Sequence, residues 1–153
     1  MEDFFPESEE IDQDVLFISE LPRFKISNES ALSDWIKTII ERHRCVLRLL
    51  TYIFVTDQQL LEINREYLQH DTLTDIITFP YSQLPFIHGD IFISIDRVKE
   101  NAQKFSTSFE NELHRVISHG VLHLCGFGDK TAEEEKIMRK KEDEALSLLE
   151  ELT

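Results

Sequence analysis

The chain has 153 residues, a formal net charge of −14, 41% hydrophobic and 30% charged residues, and only four glycines, four prolines and two cysteines. That balance suits one globular domain with a sizeable core and excludes wholesale disorder. Two cysteines exclude a disulfide-built scaffold, and no apolar run approaches the ~20 residues of a membrane span.

The N-terminal stretch MEDFFPESEEIDQD is acidic and has no basic region leading into an apolar core, so no secretory signal is expected and the cytoplasm is the default location. This stretch divides the chain into an acidic segment, residues 1–14, and a single domain, 15–153. It holds seven acids and no base, half of the net charge. The middle of the chain is close to neutral and contains a basic cluster, ERHRCVLR (41–48), so charge neither supports nor excludes RNA as a ligand.

In chain order, VLFIS (15–19) reads as a short strand. Asn28 is placed to cap a helix whose Leu32, Trp35, Ile36, Ile39 and Ile40 recur at helical spacing. CVLRLLTYIFVT (45–56) suits a strand buried on both faces. TDQQ (56–59) resembles a capping box opening a helix with Leu60, Ile63 and Tyr67 inward. DIITF (75–79) and DIFISI (90–95) read as strands, and PYSQLPFIHG between them as a loop. A short helix with Val98, Ala102 and Phe105 inward follows. TSFE (107–110) then opens a helix with the stripe Phe109, Leu113, Val116 and Ile117, ended by Gly126. TAEE (131–134) caps a last helix with Met138, Ala145, Leu149 and Leu152 on one side. The order β-α-β-α-β-β-α-α-α predicts an α/β (α+β-like) fold, a mixed sheet of about four strands covered by helices, with a metal site at the end of a helix.

That site is expected in RVISHGVLHLCGFGDK (115–130). His119 and His123, four apart, share one helical face on the flank of the apolar stripe. Gly126 lets the chain reverse, and Asp129 comes three residues later, within reach of both imidazoles. Two imidazoles, one carboxylate and an open position make a recognised catalytic zinc arrangement, and the negative end of the helix dipole favours a cation. The plain alternatives are two ordinary histidines and a turn aspartate. Gly120 stands where a zinc peptidase of the H-E-x-x-H type carries its general base, so close helix packing is the expected role for Gly120. Arg115, one turn before His119, is a candidate for phosphate contact against the plainer reading of a surface ion pair. Cys125 reads as a buried thiol and His114 as a surface residue. Asp75 and Asp90 read either as carboxylates behind the ligands or as strand-edge hydrogen bonders.

HGVLHLCGFGDK resembles the signature H-G-x-L-H-L-x-G-[YF]-D-H of the YbeY family of metal-dependent endoribonucleases. INREYLQHDTLTDIITFP, HGDIFISID and EEEKIMRKKEDEAL resemble further segments of that family in the same order, over roughly residues 45 to 150. The resemblance implies His119 and His123 as metal ligands, with Asp129 at the position of the family's third histidine. It also implies one divalent cation, zinc foremost, and single-stranded RNA as substrate. The role it implies is 16S rRNA 3′ end maturation and ribosome quality control on the small ribosomal subunit. Two departures stand out: the third ligand is a carboxylate, and Leu68 occupies a position where many members carry arginine. A zinc-dependent peptidase of metzincin-like pattern and a non-catalytic ribosome-assembly factor with a structural metal are the competing readings.

Overall fold

The computed structural model describes residues 13–153. The expected acidic segment therefore lies outside the described residues up to position 12, and its last residue, Asp14, already opens a strand. The elements are β1 (Asp14–Ser19), α1 (Glu29–Arg42), β2 (Val46–Val55), α2 (Asp57–Leu68), β3 (Ile76–Pro80), β4 (Phe86–Ser94), α3 (Ile95–Lys104), α4 (Phe109–Leu124) and α5 (Ala132–Leu152). The four strands form one mixed sheet in the order β1-β2-β4-β3, with β1 and β4 parallel to β2 and β3 antiparallel to β4. This is the expected architecture. Among the described residues no helix is long and apolar enough to cross a membrane.

The alternation along β2 separates two cores. Leu50, Tyr52 and Phe54 join Ile87, Ile91 and Ile93 of β4 in the main core, beneath Trp35, Ile36 and Ile40 of α1 and Ile117 and Val121 of α4. Val55 faces the other way, into a smaller cluster with Leu60 of α2 and Ile77 of β3. Both faces of the central strand are thus covered, as its continuous apolar run requires. Two buried hydrogen bonds satisfy the polar tips of the large core aromatics. Trp35 Nε1–H donates to the Ala145 carbonyl at 2.7 Å, tying α1 to α5, and the Tyr52 hydroxyl donates to the Ile117 carbonyl at 2.9 Å, tying β2 to α4.

Capping residues set most boundaries. Thr56 and Thr131 form full capping boxes with Gln59 and Glu134. Three local expectations need correction. Asn28 does stand before α1, but it is left-handed (φ 59°) and makes no side-chain cap. The cap of α4 is Ser108, one residue later than TSFE suggests, and it accepts from the Asn111 amide. β4 starts at Phe86, inside the expected loop, because Phe86 and Ile87 pair with Val46 and Leu47 of β2.

Three side chains expected inward point outward: Tyr67, Phe105 and Leu152 are each at least half exposed. α2 buries Asn64 instead of Tyr67, and the Asn64 amide donates to the Thr72 carbonyl. A hydrogen bond that ties down the following loop has outweighed apolar burial there.

Gly120 shows why α4 lies so close to the sheet. A Cβ at this position would sit 2.9 Å from Ile91 Cδ1 and 3.0 Å from Ile76 Cδ1. Close packing is the role the sequence suggested, and any side chain there would have to push Ile91 and Ile76 aside.

Candidate metal centre

α4 ends as the sequence predicts. Gly126 has φ 110°, its amide donates to the His123 carbonyl at 3.0 Å, and the Phe127 amide donates to the Leu122 carbonyl at 3.1 Å. These two bonds define a Schellman ending, which satisfies the last carbonyls and reverses the chain. A second clamp follows immediately. The Lys130 amide donates to Glu134 Oε1 at 2.9 Å, and Thr131 opens α5. Asp129 is held between these two helix ends, so its position is set by local chemistry on both sides.

The carboxylate turns back towards α4. Asp129 Oδ2 lies 3.1 Å from His119 Nε2, and the other ring nitrogen of His119, Nδ1, donates to Glu142 Oε2 at 2.7 Å. Glu142 comes from α5, and its Oε1 accepts from Arg115 Nη1 at 2.9 Å, while Arg115 Nη2 donates to Asp143 at 2.8 Å. His119, Asp129, Glu142 and Arg115 line a cleft of about 370 Å³, together with Asp75, Glu112 and Arg139.

His123 is exposed and does not join the His119–Asp129 contact. Its Nδ1–H donates to the Phe127 carbonyl at 3.1 Å, an acceptor supplied by its own turn. A carbonyl oxygen can only accept, so the proton is on Nδ1 and the Nε2 lone pair remains available. Among the described residues no three His, Cys, Asp or Glu side chains close on a common point.

The donor chemistry nevertheless fits a divalent cation. Two imidazoles on adjacent turns have Nδ1 committed to an oxygen acceptor, and an aspartate oxygen already faces one of the two Nε2 atoms. Imidazole and carboxylate together suit zinc, among other transition metals.

The cleft is electrically uneven. Burial pushes the Asp75 carboxyl above its usual range, only partly offset by His119. Burial also raises Glu112, reinforced by the charge of Asp75. For His119, burial opposes protonation, but the hydrogen bond and charge of Glu142, with Asp129 and Asp75, outweigh it and raise the imidazole above its ordinary value. Carboxylates therefore dominate this cleft, and a positive charge beside His119 is favoured.

The other singled-out residues fall away from this pair. Arg115 does line the cleft, but both arms of its guanidinium are engaged by Glu142 and Asp143. His114 is half-buried against the Trp35 ring and not a surface residue; burial lowers its pKa. Asp90 accepts from the Tyr81 hydroxyl, while Asp75 reaches the cleft. The Cys125 thiol is pushed well up by burial beside Cys45. Arg65, the nearest base to Leu68, is paired with Asp71.

Glu142 closes the M-x-x-x-E pattern in EEEKIMRKKEDEAL, but sequence reasoning gave it no role. A signal existed: it falls on the buried stripe of α5 with Met138, Ala145 and Leu149, where a charged side chain is anomalous.

A mixed sheet of this order, with an imidazole–carboxylate pair at the end of its central helix, defines the class of α/β domain, and comparison with known proteins narrows it. The sequence model of the family described as endoribonuclease YbeY matches residues 19–150. Proteins named endoribonuclease YbeY are similar along most of the chain. That of Flavobacterium psychrophilum is 51% identical, covering 82% of this chain and 89% of its own. That of Parabacteroides distasonis is 48% identical, covering 86% and 91%, and that of Cytophaga hutchinsonii 45%, covering 90% and 96%. The fold is also that of a solution structure of a Thermotoga maritima protein, with a TM-score of 0.63, 24% identity and 88% of each chain covered. The chain belongs to the endoribonuclease YbeY family.

Proposed function

We propose that this protein is a metal-dependent endoribonuclease that cleaves single-stranded RNA. In this reading it acts in the cytoplasm on ribosomal RNA of the small subunit, in 16S rRNA 3′ end maturation and ribosome quality control. His119, His123 and Asp129 would hold one divalent cation, zinc foremost. The observation that carries this reading is the contact between His119 Nε2 and Asp129 Oδ2, made by the first and third positions of the H-x-x-x-H-x-x-G-x-x-D signature. The ribosomal role rests on the family likeness of the motifs and on the relatives' name.

A bound divalent cation supplies Lewis acidity, polarising a phosphoryl oxygen and lowering the pKa of water. The chain's own residues do the rest. His119 and His123 would each offer Nε2 to the cation, their Nδ1–H groups being engaged by Glu142 and by the Phe127 carbonyl. Asp129 would add a negative ligand that partly offsets the cation's charge. Arg139 is on the wall of the cleft, and its ion pair with Glu142 is long at 3.7 Å, so it is the arginine better placed to meet a phosphate. The peptidase reading is disfavoured by Gly120, which supplies no carboxylate at the general-base position and packs against Ile91 and Ile76 instead.

The test is incubation of purified protein with single-stranded RNA and with casein, each with and without chelator. RNA cleavage that chelator abolishes and Asp129→Ala loses supports the proposal. Casein cleavage would establish the peptidase, and a folded, metal-loaded but inert protein would leave an assembly factor. His123→Ala should bring bound zinc well below one equivalent; full zinc content in that variant would remove His123 from the ligand set.

A further inference from the structure

We propose that Glu142 is the positioning residue of this centre: from α5 it holds the His119 imidazole with Nδ1 protonated and Nε2 turned towards the cation, and Arg115 holds Glu142 in turn. The inference rests on the reading of His119 as a ligand, and adds a residue from a helix outside the signature motif.

The geometry is specific. Glu142 has a side chain only 8% exposed, yet both of its oxygens are used, Oε2 by His119 Nδ1 at 2.7 Å and Oε1 by Arg115 Nη1 at 2.9 Å. Burying a carboxylate costs several kcal/mol unless partners offset it, and a leucine on this stripe would pack against α4 without that cost. Both ring nitrogens face a carboxylate, which accepts and does not donate; the shorter contact, to the buried Glu142, is the one that keeps its proton, on Nδ1, when the ring is neutral. The lone pair of the neutral ring is then on Nε2, the atom that faces Asp129. An imidazole held this way by a carboxylate is the usual arrangement behind a metal-bound histidine, where it sets tautomer, orientation and basicity.

His123 is the internal control. Its Nδ1–H is held by the Phe127 carbonyl from its own turn, with no help from α5. A change at position 142 therefore acts on one ligand and spares the other.

The experiment measures zinc affinity by chelator competition in wild type, Glu142→Leu and Glu142→Gln. It also reads the His119 ring tautomer from imidazole nitrogen shifts in the metal-free protein, at a pH where the ring is neutral. Expected is a roughly 10–100-fold weaker zinc Kd in Glu142→Leu, the scale for such supporting carboxylates. Glu142→Gln, whose amide oxygen can still accept, should recover most of that loss. The wild-type His119 ring should carry its proton on Nδ1. In the leucine variant that preference should disappear while His123 keeps its own. A purely structural role would lower the melting temperature and leave Kd and tautomer unchanged, which would overturn the inference. If the leucine variant fails to fold, the wild-type spectrum still decides, since an Nε2-protonated His119 overturns it as well. Wild-type protein that binds no zinc would instead sink the underlying metal reading, so the two failures are distinguishable.

Discussion

Two charged networks cross this fold, and they are built to different ends. The first joins the starts of α2 and α3. Asp57 accepts from the Ser94 hydroxyl at 2.7 Å and from Arg97 Nη2 at 2.8 Å, its amide donates to Asp96, and Ser94 caps the Arg97 amide. Arg97 meets Asp57 through both Nε and Nη2, and each strong donor finds its acceptor within the network. The second runs from Asp143 and Arg115 through Glu142 to His119 and ends on the Asp129 carboxylate in a cleft with Asp75 and Glu112. Here the chain of partners does not close on itself: it ends on an imidazole set between two carboxylates, on the wall of the cleft. The closed network fastens two helix ends; the open one ends at a cleft lined by further carboxylates.

That contrast can be broken by experiment. The largest effect is expected from Arg115→Ala, which leaves the buried Glu142 with only His119 and a long contact to Arg139: unfolding free energy should fall by about 2 kcal/mol in urea with chelator present, the scale of a lost hydrogen bond to a charged group. In the closed network Arg97→Ala should cost about 1 kcal/mol by the same measurement, because Asp57 and Arg97 are each a quarter exposed and water can replace the lost partner. Equal losses would mean that burial does not separate the two networks.

The smallest effect is in acid. Burial would raise the Asp57 carboxyl, but the hydrogen bonds from Arg97 and Ser94 and the charge of Arg97 hold it below its ordinary value of 3.8. A carboxyl depressed in the folded state adds stability that is present above the unfolded value and lost as pH falls through the folded one. Asp57→Asn should therefore remove part of the wild-type decline in stability below about pH 4, as followed by thermal melts across that range. An unchanged acid limb would show that this carboxylate contributes nothing.

Much of the fold was legible because its signals are local. Thr56 and Thr131 announce their helices by capping boxes, Gly126 announces the reversal after α4, and the run 46–55 announces a strand covered on both faces. His119 and Asp129 are ten residues apart on a helix and its turn, so their meeting could be read from spacing. What could not be read depends on packing between distant segments. Tyr67 suits the inward stripe of α2, but Asn64 takes the interior by bonding to the loop at Thr72. Phe86 and Ile87 lie among turn-forming residues and become strand only because β2 offers its edge. Glu142 is 23 residues from His119, and its role emerges when α5 is laid against α4.

By itself, then, the sequence determined the helix ends, the alternation of the central strand and the pairing of imidazole with carboxylate across one turn. Each of these follows from backbone hydrogen bonding and side-chain periodicity within about a dozen residues. Only the tertiary structure decided that Asp75, Glu112 and Glu142 share a cleft with His119 and that Arg115 is bound to α5. The electrostatics of a buried group depends on which distant charges are brought within a few ångströms in low dielectric, and no periodicity along the chain encodes that distance.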